Sequence, residues 1–332
     1  MVKNILITGA CGFIGHHIVE YLLKKTEHNI YIIDKLSYAS FGMDRLRDID
    51  ALNHPRVKIY IYDLVSKIDV GFVQELKDIH FIMHLAAETH VDNSISDPLY
   101  CITNNVTSTI NMLELARKLP SLEKFLYFST DEVYGPAIGD VMFSEEHRHN
   151  PTNPYSASKS ASEMICKSYA NTYKIPLMTC NAMNVFGERQ HSEKFIPKCI
   201  NNIMKNHVNI IHSYPVINFT ENPEAGSRFY IYAKNVASAV YYIFVNGNIG
   251  ETYNIPGQCE IANDVMCDKI ANILNKTAIK EYVSQDKNRP GNDLRYGLHG
   301  SKLIDLGWKP DGDLDEHLKA VVEWTVANNK WM

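Results

Sequence analysis

The sequence contains no apolar run long enough to span a bilayer, no CxxC pair and no excess of basic residues. With a net charge of −5 it offers no basic footprint for nucleic acid, and we expect no contact with membranes. The seven scattered cysteines indicate reduced thiols in the cytoplasm, and the fourteen histidines show no metal-ligand spacing. Since 45% of the 332 residues are hydrophobic and 21% are charged, we expect a soluble cytoplasmic α/β protein without a metal.

The first glycine-rich stretch predicts a dinucleotide site. An apolar run at 4–8 indicates a strand, and glycines with GxxGxxG spacing separate it from an amphipathic helix. Gly9 permits a tight turn, Gly12 lets the backbone approach a pyrophosphate, and Gly15 lets the helix pack closely on the sheet. The glycine pattern alone is weak evidence, because a glycine turn in an unrelated α/β domain would look similar.

The following predicted strands end in residues that suit such a cofactor. The carboxylate of Asp34 would accept hydrogen bonds from ribose hydroxyls and repel a 2′-phosphate, which favours NAD over NADP. Lys35 follows directly and weakens that preference. Asp63 and Leu64 would flank an adenine, and the small residues at 86–87 would let a cofactor lie against the strand ends. Strands that end this way in βαβ order make the dinucleotide interpretation strong.

A second group of residues predicts acid–base chemistry. The segment 129–132 (STDE) follows a buried strand at 124–128, and a helix opens near Tyr155. Tyr155 and Lys159 are four residues apart, so both lie on one helical face. A lysine ammonium favours the phenolate, which makes the tyrosine a general base near neutral pH. The alternative is an exposed Tyr and Lys without a function that have this spacing by chance.

The order of predicted elements defines the fold class. Strand–helix alternation predicts an α/β fold, a Rossmann-type doubly wound parallel sheet with a smaller mixed α/β C-terminal lobe. We expect a cofactor domain with the catalytic residues at 1–185 and the smaller lobe at 186–332, interleaved across a soft boundary. Long helices are predicted at 98–119, 233–246 and 313–328.

Several polar side chains that could bind a ligand lie in the C-terminal lobe or just before it in sequence. Arg228 precedes an aromatic strand, and Arg289 lies in a rigid Arg-Pro-Gly turn that we expect to fix the direction of its side chain. With Asn184 and Lys194 they would suit a second diphosphate if they converge on one cleft. Taken singly, each cation could equally be a solvated surface charge.

At this point the motifs resemble a known family, the extended short-chain dehydrogenase/reductases, and within it the nucleotide-diphosphate-glucose 4,6-dehydratases. The resemblance covers nearly the whole chain and rests on TGACGFIG (8–15), DKLSYA (34–39), HLAAETHVDN (84–93), STDEVYG (129–135), YSASK (155–159), EKFIP (193–197) and RPGNDLRY (289–296). Its most diagnostic part is the Thr-Asp-Glu triplet, because related epimerases and decarboxylases do not remove water and usually carry a different pair there.

The resemblance implies conversion of dTDP-glucose or UDP-glucose to a 4-keto-6-deoxy sugar, toward deoxysugars such as rhamnose. Tyr155, assisted by Lys159, would take the 4-hydroxyl proton as hydride passes to NAD, with Thr130 bonded to that oxygen. Glu132, ionised, would remove the proton on carbon 5. Asp131, protonated, would give its proton to the departing 6-hydroxyl, and the hydride would return to carbon 6.

The resemblance also implies the binding residues and the assembly. Contacts to NAD are expected from Gly9, Gly12, Phe13, Ile14, Gly15, Asp34, Lys35, Leu36, Ser37, Asp63, Leu64, Leu85, Ala86, Ala87, Thr103, Tyr155 and Lys159. Contacts to the nucleotide sugar are expected from Thr89, Thr130, Asn184, Lys194, Phe195, Arg228, Arg289 and Asn292. Members of the family are usually homodimers that pair two long helices from each subunit, here those beginning at Pro98 and near Tyr155.

Departures from the family pattern leave the base open between thymine and uracil. They include Val185 in place of a second Asn and Asn292 in place of a frequent His. The alternative functions are a UDP-sugar 4-epimerase, a UDP-glucuronate decarboxylase and a non-catalytic NAD-binding scaffold. Asp131 and Glu132 argue against the first two, and the intact catalytic set argues against the third.

Overall fold

The computed structural model describes residues 1–214, 223–284, 291 and 293–332. The first half contains β1 (Asn4–Thr8), α1 (Phe13–Lys25), β2 (Asn29–Asp34), α2 (Asp44–Asp48), β3 (Val57–Ile61), α3 (Val70–Glu75), β4 (Phe81–His84), α4 (Val91–Ser96), α5 (Pro98–Ala116), β5 (Lys124–Thr130), α6 (Pro154–Tyr173), β6 (Leu177–Ala182) and β7 (Asn184–Phe186). The second half contains α7 (Phe195–Met204), β8 (Val208–Ser213), β9 (Ser227–Tyr232), α8 (Ala233–Asn246), β10 (Thr252–Ile255), β11 (Glu260–Ala262), α9 (Asn263–Ile273), β12 (Ile279–Ser284), α10 (Ser301–Asp305) and α11 (Leu314–Ala327).

The main sheet is parallel throughout the described chain. Its seven strands follow the order β3-β2-β1-β4-β5-β6-β10, so the chain direction across the sheet reverses between β1 and β4. In β6 every residue is buried, as expected for a parallel strand covered on both faces. The predicted Rossmann-type sheet is confirmed. At such a reversal a crevice opens beyond the carboxyl ends of the strands, and ligands bind there.

Two apolar clusters hold helices against the faces of this sheet. On one face, Ile18 and Leu22 of α1 and Ile243 of α8 are fully buried in the same cluster. On the other face, Met112 of α5 and Cys166 of α6 are fully buried. Burying one such side chain contributes roughly 1.5–3 kcal/mol, so these clusters fix the sheet and its crevice firmly.

The C-terminal half returns to the main sheet. Residues 252–255 form β10, which pairs with β6, and α8 packs on α1. A separate apolar cluster joins α7, α9 and α11 beside two small sheets, β11-β9-β7 and β12-β8. The chain therefore crosses between the two lobes more than once, and the division at residue 185 stays a prediction.

The two longest helices lie side by side on one face of the sheet. The carboxylate of Asp97 caps α5 by accepting from the Tyr100 N–H at 3.0 Å. The side chain of Asn153 caps α6 in a capping box with Ser156. Helix α5 ends at Ala116, three residues before its predicted end, whereas α8 has its predicted bounds. In the ranges that the structure describes, we find no helix with the length and apolarity needed to cross a membrane.

Candidate active site

The glycine-rich turn lies at the carboxyl end of β1, where the strand order reverses. Gly9 has a φ of +72°, and a Cβ there would lie 2.9 Å from the backbone of Ala86. A Cβ at Gly15 would lie only 2.4 Å from the carbonyl oxygen of Gly9. The backbone of the turn and the start of α1 thus approach each other closely, as a phosphate cradle at a helix N-terminus requires.

The end of β2 carries a carboxylate that suits a ribose. Asp34 accepts from the Cys11 N–H at 2.9 Å and from the Leu36 N–H at 2.8 Å. Burial raises its pKa, and the two backbone donors oppose that shift. The ammonium of Lys35 pairs with Glu88 at 2.9 Å and donates to Asn104 at 2.7 Å. Because this cation is already engaged, it does not offset the preference of Asp34 for NAD over NADP.

A cleft of about 350 Å³ extends from this turn to the ends of β5 and β7. Most of the predicted site residues line it: Gly9, Gly12, Phe13, Ile14, Gly15, Asp34, Lys35, Ser37, Asp63, Leu64, Leu85, Ala86, Ala87, Thr89, Thr130, Asp131, Glu132, Tyr155, Lys159, Asn184, Lys194 and Phe195. Residues predicted separately for cofactor, catalysis and substrate are therefore brought together in one cleft.

Three predicted residues do not line this cleft. Thr103 is exposed on α5, whereas Asn104 lines the cleft, because consecutive helical residues point in different directions. The side chain of Leu36 packs against the core cluster. The guanidinium of Arg228 donates to the carbonyl oxygen of Asp293 at 2.6 Å. The predictions for Arg289 and Asn292 fall outside the described residues.

The predicted catalytic residues come from two adjacent elements. Thr130 ends β5, and a short 3₁₀ turn, Asp131–Tyr134, carries both carboxyls. Tyr155 and Lys159 lie on the first turns of α6, and both are buried. The Lys159 ammonium donates to the carbonyl oxygen of Phe128 at 2.7 Å, and burial lowers its pKa to about 8. The lysine is therefore fixed in place, and burial makes its charged form less favourable than in water.

The two carboxyls differ in their surroundings. Burial, and then the charge of Glu132, raise the pKa of Asp131 to about 7, and its carboxyl accepts from the Thr130 hydroxyl at 3.0 Å. Burial also raises the pKa of Glu132, but its carboxylate accepts from Asn153 at 3.3 Å and from Tyr296 at 3.4 Å. Hydrogen bonds donated to a carboxylate favour its charged form. Asp131 is thus the more readily protonated group and suits a general acid, whereas Glu132 suits a general base.

Tyr155 departs from the sequence-based expectation. Burial, and then the charge of Glu132, raise the pKa of its phenol well above the usual value, although the Thr130 hydroxyl opposes this shift. The expected lowering by Lys159 does not prevail, because burial of the phenol outweighs it; the ammonium itself donates to the Phe128 carbonyl oxygen. Additional positive charge beside the phenol would favour the phenolate.

Sequence reasoning missed two residues that contact Glu132 and one buried carboxyl that acts on the charge of Lys159. Asn153 and Tyr296 both donate to Glu132, and Glu163 is fully buried one helical turn after Lys159. Asn before Pro at a helix start signals a cap, but nothing in its spacing indicates contact with Glu132. Tyr296 is 164 residues away from Glu132 in the chain, so only the fold brings them together.

Comparison with known proteins gives consistent matches. The profile of the GDP-mannose 4,6 dehydratase family matches residues 6–321. The dTDP-glucose 4,6-dehydratase of Haemophilus influenzae is 33% identical over 99% of both chains. A trifunctional UDP-glucose 4,6-dehydratase/UDP-4-keto-6-deoxy-D-glucose 3,5-epimerase/UDP-4-keto-L-rhamnose-reductase of Arabidopsis thaliana is 36% identical over 99% of this chain and 48% of its own.

A solved structure shares the whole architecture. The crystal structure of DesIV, a dTDP-glucose 4,6-dehydratase from Streptomyces venezuelae with NAD and TYD bound, has a TM-score of 0.87 at 29% identity. It covers 99% of this chain and 98% of its own. Because family profile, relatives and fold agree, the resemblance drawn from the motifs is confirmed, and the chain belongs to the nucleotide-sugar 4,6-dehydratase family of the extended short-chain dehydrogenase/reductases.

Proposed function

We propose that the protein is a hydro-lyase that dehydrates dTDP-glucose or UDP-glucose to the NDP-4-keto-6-deoxy-glucose, the first step toward deoxysugars such as rhamnose. The observation that carries this proposal is the pair of adjacent carboxyls in unlike surroundings. Asp131 has a pKa near 7, and Glu132 accepts two hydrogen bonds. Water removal needs one group that gives a proton and one that takes a proton, and carboxyls with separated pKa values supply both.

The cofactor in this proposal is NAD. Residues 13–15, the first turn of α1, line the cleft, and the N–H groups at a helix start have no intrahelical partner and can bind a pyrophosphate. Asp34 has free lone pairs for ribose hydroxyls beyond its two backbone contacts. When bound, NAD accepts the hydride of carbon 4, returns it to carbon 6, and contributes positive charge to the cleft.

Each catalytic side chain then has one role. Tyr155 takes the proton of the sugar 4-hydroxyl, Thr130 holds that oxygen, and Lys159 stabilises the phenolate. The ketone at carbon 4 makes the proton on carbon 5 acidic. Glu132 removes this proton and gives a proton back to carbon 5 when the hydride adds to carbon 6. Asp131 gives its proton to the 6-hydroxyl, which leaves as water.

The sugar nucleotide would occupy the wall of the cleft away from the glycine turn. Thr89, Lys194 and Phe195 line that wall. Asn184 lines it too, and its buried amide oxygen has no hydrogen-bond partner in the described ranges. An unsatisfied buried acceptor at a cleft wall favours a ligand that donates a hydrogen bond. We also keep the division into an NAD-binding domain at 1–185 and a nucleotide-sugar lobe at 186–332 as a proposal.

The alternative functions do not need both a proton donor and a proton acceptor at residues 131 and 132. A UDP-sugar 4-epimerase returns the hydride to carbon 4 and removes no water, so it needs neither an acid for the 6-hydroxyl nor a base for carbon 5. A UDP-glucuronate decarboxylase loses carbon dioxide rather than water. A non-catalytic scaffold would bind NAD and turn over no nucleotide sugar.

The proposal is tested by incubating the purified protein with dTDP-glucose and with UDP-glucose, followed by mass spectrometry of the products. We expect the loss of one water from at least one substrate and no net consumption of NAD. The preferred nucleotide identifies the base. Epimerised or decarboxylated product, or no product at all with NAD bound, would contradict the proposal and favour the corresponding alternative.

We further infer a cytoplasmic homodimer that pairs α5 and α6 of each subunit. Leu99 is 75% exposed on α5, and Met164 is 45% exposed on α6. Large exposed apolar side chains on adjacent helices mark an interaction surface. We expect Leu99→Glu to shift the mass measured by light scattering from dimer to monomer. Val245→Glu, at an equally apolar exposed position on α8, is the control, and a shift in both variants or in neither would overturn the assignment.

A further inference from the structure

The start of α6 connects to the carboxylate of Glu132 through a single side chain. The Oδ1 atom of Asn153 accepts from the Ser156 N–H at 2.9 Å, which caps the helix. Its Nδ2 atom donates to Glu132 at 3.3 Å and to the carbonyl oxygen of Gly291 at 3.2 Å. Asn153 is 5% exposed, so these contacts are made out of water. One amide thus holds the catalytic helix, the carboxylate and the C-terminal segment together.

A second donor reaches the same carboxylate from the C-terminal segment. The Tyr296 hydroxyl donates to Glu132 at 3.4 Å and accepts from the Asp293 N–H at 3.3 Å. The ring of Tyr296 is 2% exposed, and the Arg228 guanidinium lies 4.9 Å from its centre. The carboxylate of Glu132 is therefore held between two donors that come from distant parts of the chain.

We propose that Asn153 and Tyr296 are positioning residues that keep Glu132 ionised and aimed as the base of the dehydration. This inference rests on the proposed function and deepens it, because it explains how two neighbouring carboxyls acquire opposite roles. Glu132 accepts from both side chains, whereas the only side chain that donates to Asp131 within the described residues is Thr130. Unequal hydrogen bonding favours the charged form of Glu132 and leaves Asp131 as the acid.

Of the charged groups around Glu132, one acts on both carboxyls and two others oppose each other. Arg228 lowers the pKa of both carboxyls, so it does not separate them. Lys194 lowers and Asp293 raises the pKa of Glu132. Among the residues that the structure describes, the titratable and charged groups that face Glu132 are Asp131, Tyr155, Lys194, Arg228, Asp293 and Tyr296. The two neutral donors add to this balance on the side of the charged form, and they contact Glu132 rather than Asp131.

Two substitutions of Asn153 keep its role as the helix cap and remove its role as the hydrogen-bond donor to Glu132. Ser and Asp both cap helices as well as Asn does, but neither has an amide N–H to offer. Asn153→Ser removes the donor, and Asn153→Asp also places a second carboxylate beside Glu132. We expect the acid limb of the kcat–pH profile to move to higher pH by about 1 unit with Ser, and further with Asp. Tm is expected to change little with Ser because the cap is kept, and to fall with Asp because two buried carboxylates repel each other.

Tyr296→Phe provides a second and independent variant, because this residue lies outside the helix. It is expected to move the acid limb in the same direction as Asn153→Ser, and the double variant to move it further. If all these variants keep the acid limb of the wild type, or lose activity equally at every pH, the inference is wrong and the contacts are only structural. If the wild type itself removes no water, the proposed function fails instead.

Discussion

Replacing Glu132 by Gln is expected to abolish water loss while NAD can still be reduced. The amide has nearly the same size and can still accept from Tyr296, so the site keeps its shape. It cannot take a proton from carbon 5, and removing a general base typically costs on the order of 10²–10⁴-fold in rate. The oxidation of carbon 4 depends on Tyr155 and is left in place. We therefore expect NADH absorbance to appear after mixing with substrate and then to persist.

The control for this prediction is Glu146→Gln, an exposed carboxylate in the loop before α6. It is expected to turn over at the wild-type rate. Exchange of the carbon 5 proton with deuterated solvent is the second measurement, because only the base at carbon 5 catalyses it. Full turnover, or undiminished exchange, by Glu132→Gln would refute the role assigned to this residue.

The sequence alone predicted the sheet and most of the cleft because those features depend on local patterns. An apolar strand, a glycine turn and a carboxylate at the next strand end are each encoded within a few residues, and Gly9, Gly15 and Asp34 lie where these patterns put them. Tyr155 and Lys159 share a helical face for the same reason. Even Thr103, which does not line the cleft, lies one position before a residue that does.

What the sequence did not predict depends on contacts between distant segments. The donors to Glu132 come from residues 21 and 164 positions away, and no periodicity connects them. The return of 252–255 to the main sheet is equally non-local, because a short apolar strand does not encode its partner. We expected the pKa of Tyr155 to be lowered, but it is raised, and the reason is related. Spacing showed that a lysine is near, but not that burial of the phenol would outweigh the effect of its charge.

Replacing Tyr155 by Phe is expected to stop the reaction one step earlier, before any NADH forms. The phenol oxygen is the only group assigned to take the 4-hydroxyl proton, and the ring itself is 7% exposed, so Phe fills the same space. Losing this base should lower the rate on the order of 10²–10⁴-fold. We expect neither NADH absorbance nor deuterium exchange at carbon 5, because the carbon 5 proton becomes acidic only after carbon 4 is oxidised.

Tyr169→Phe is the matched control, since it removes a hydroxyl from the same helix at a site bonded to Glu114 at 2.9 Å. It is expected to leave the rate unchanged. Together, Tyr155→Phe and Glu132→Gln divide the reaction into oxidation and elimination. If Tyr155→Phe still accumulates NADH at the wild-type rate, another base takes the 4-hydroxyl proton. The buried Lys159, whose pKa is lowered to about 8, is then the nearest candidate.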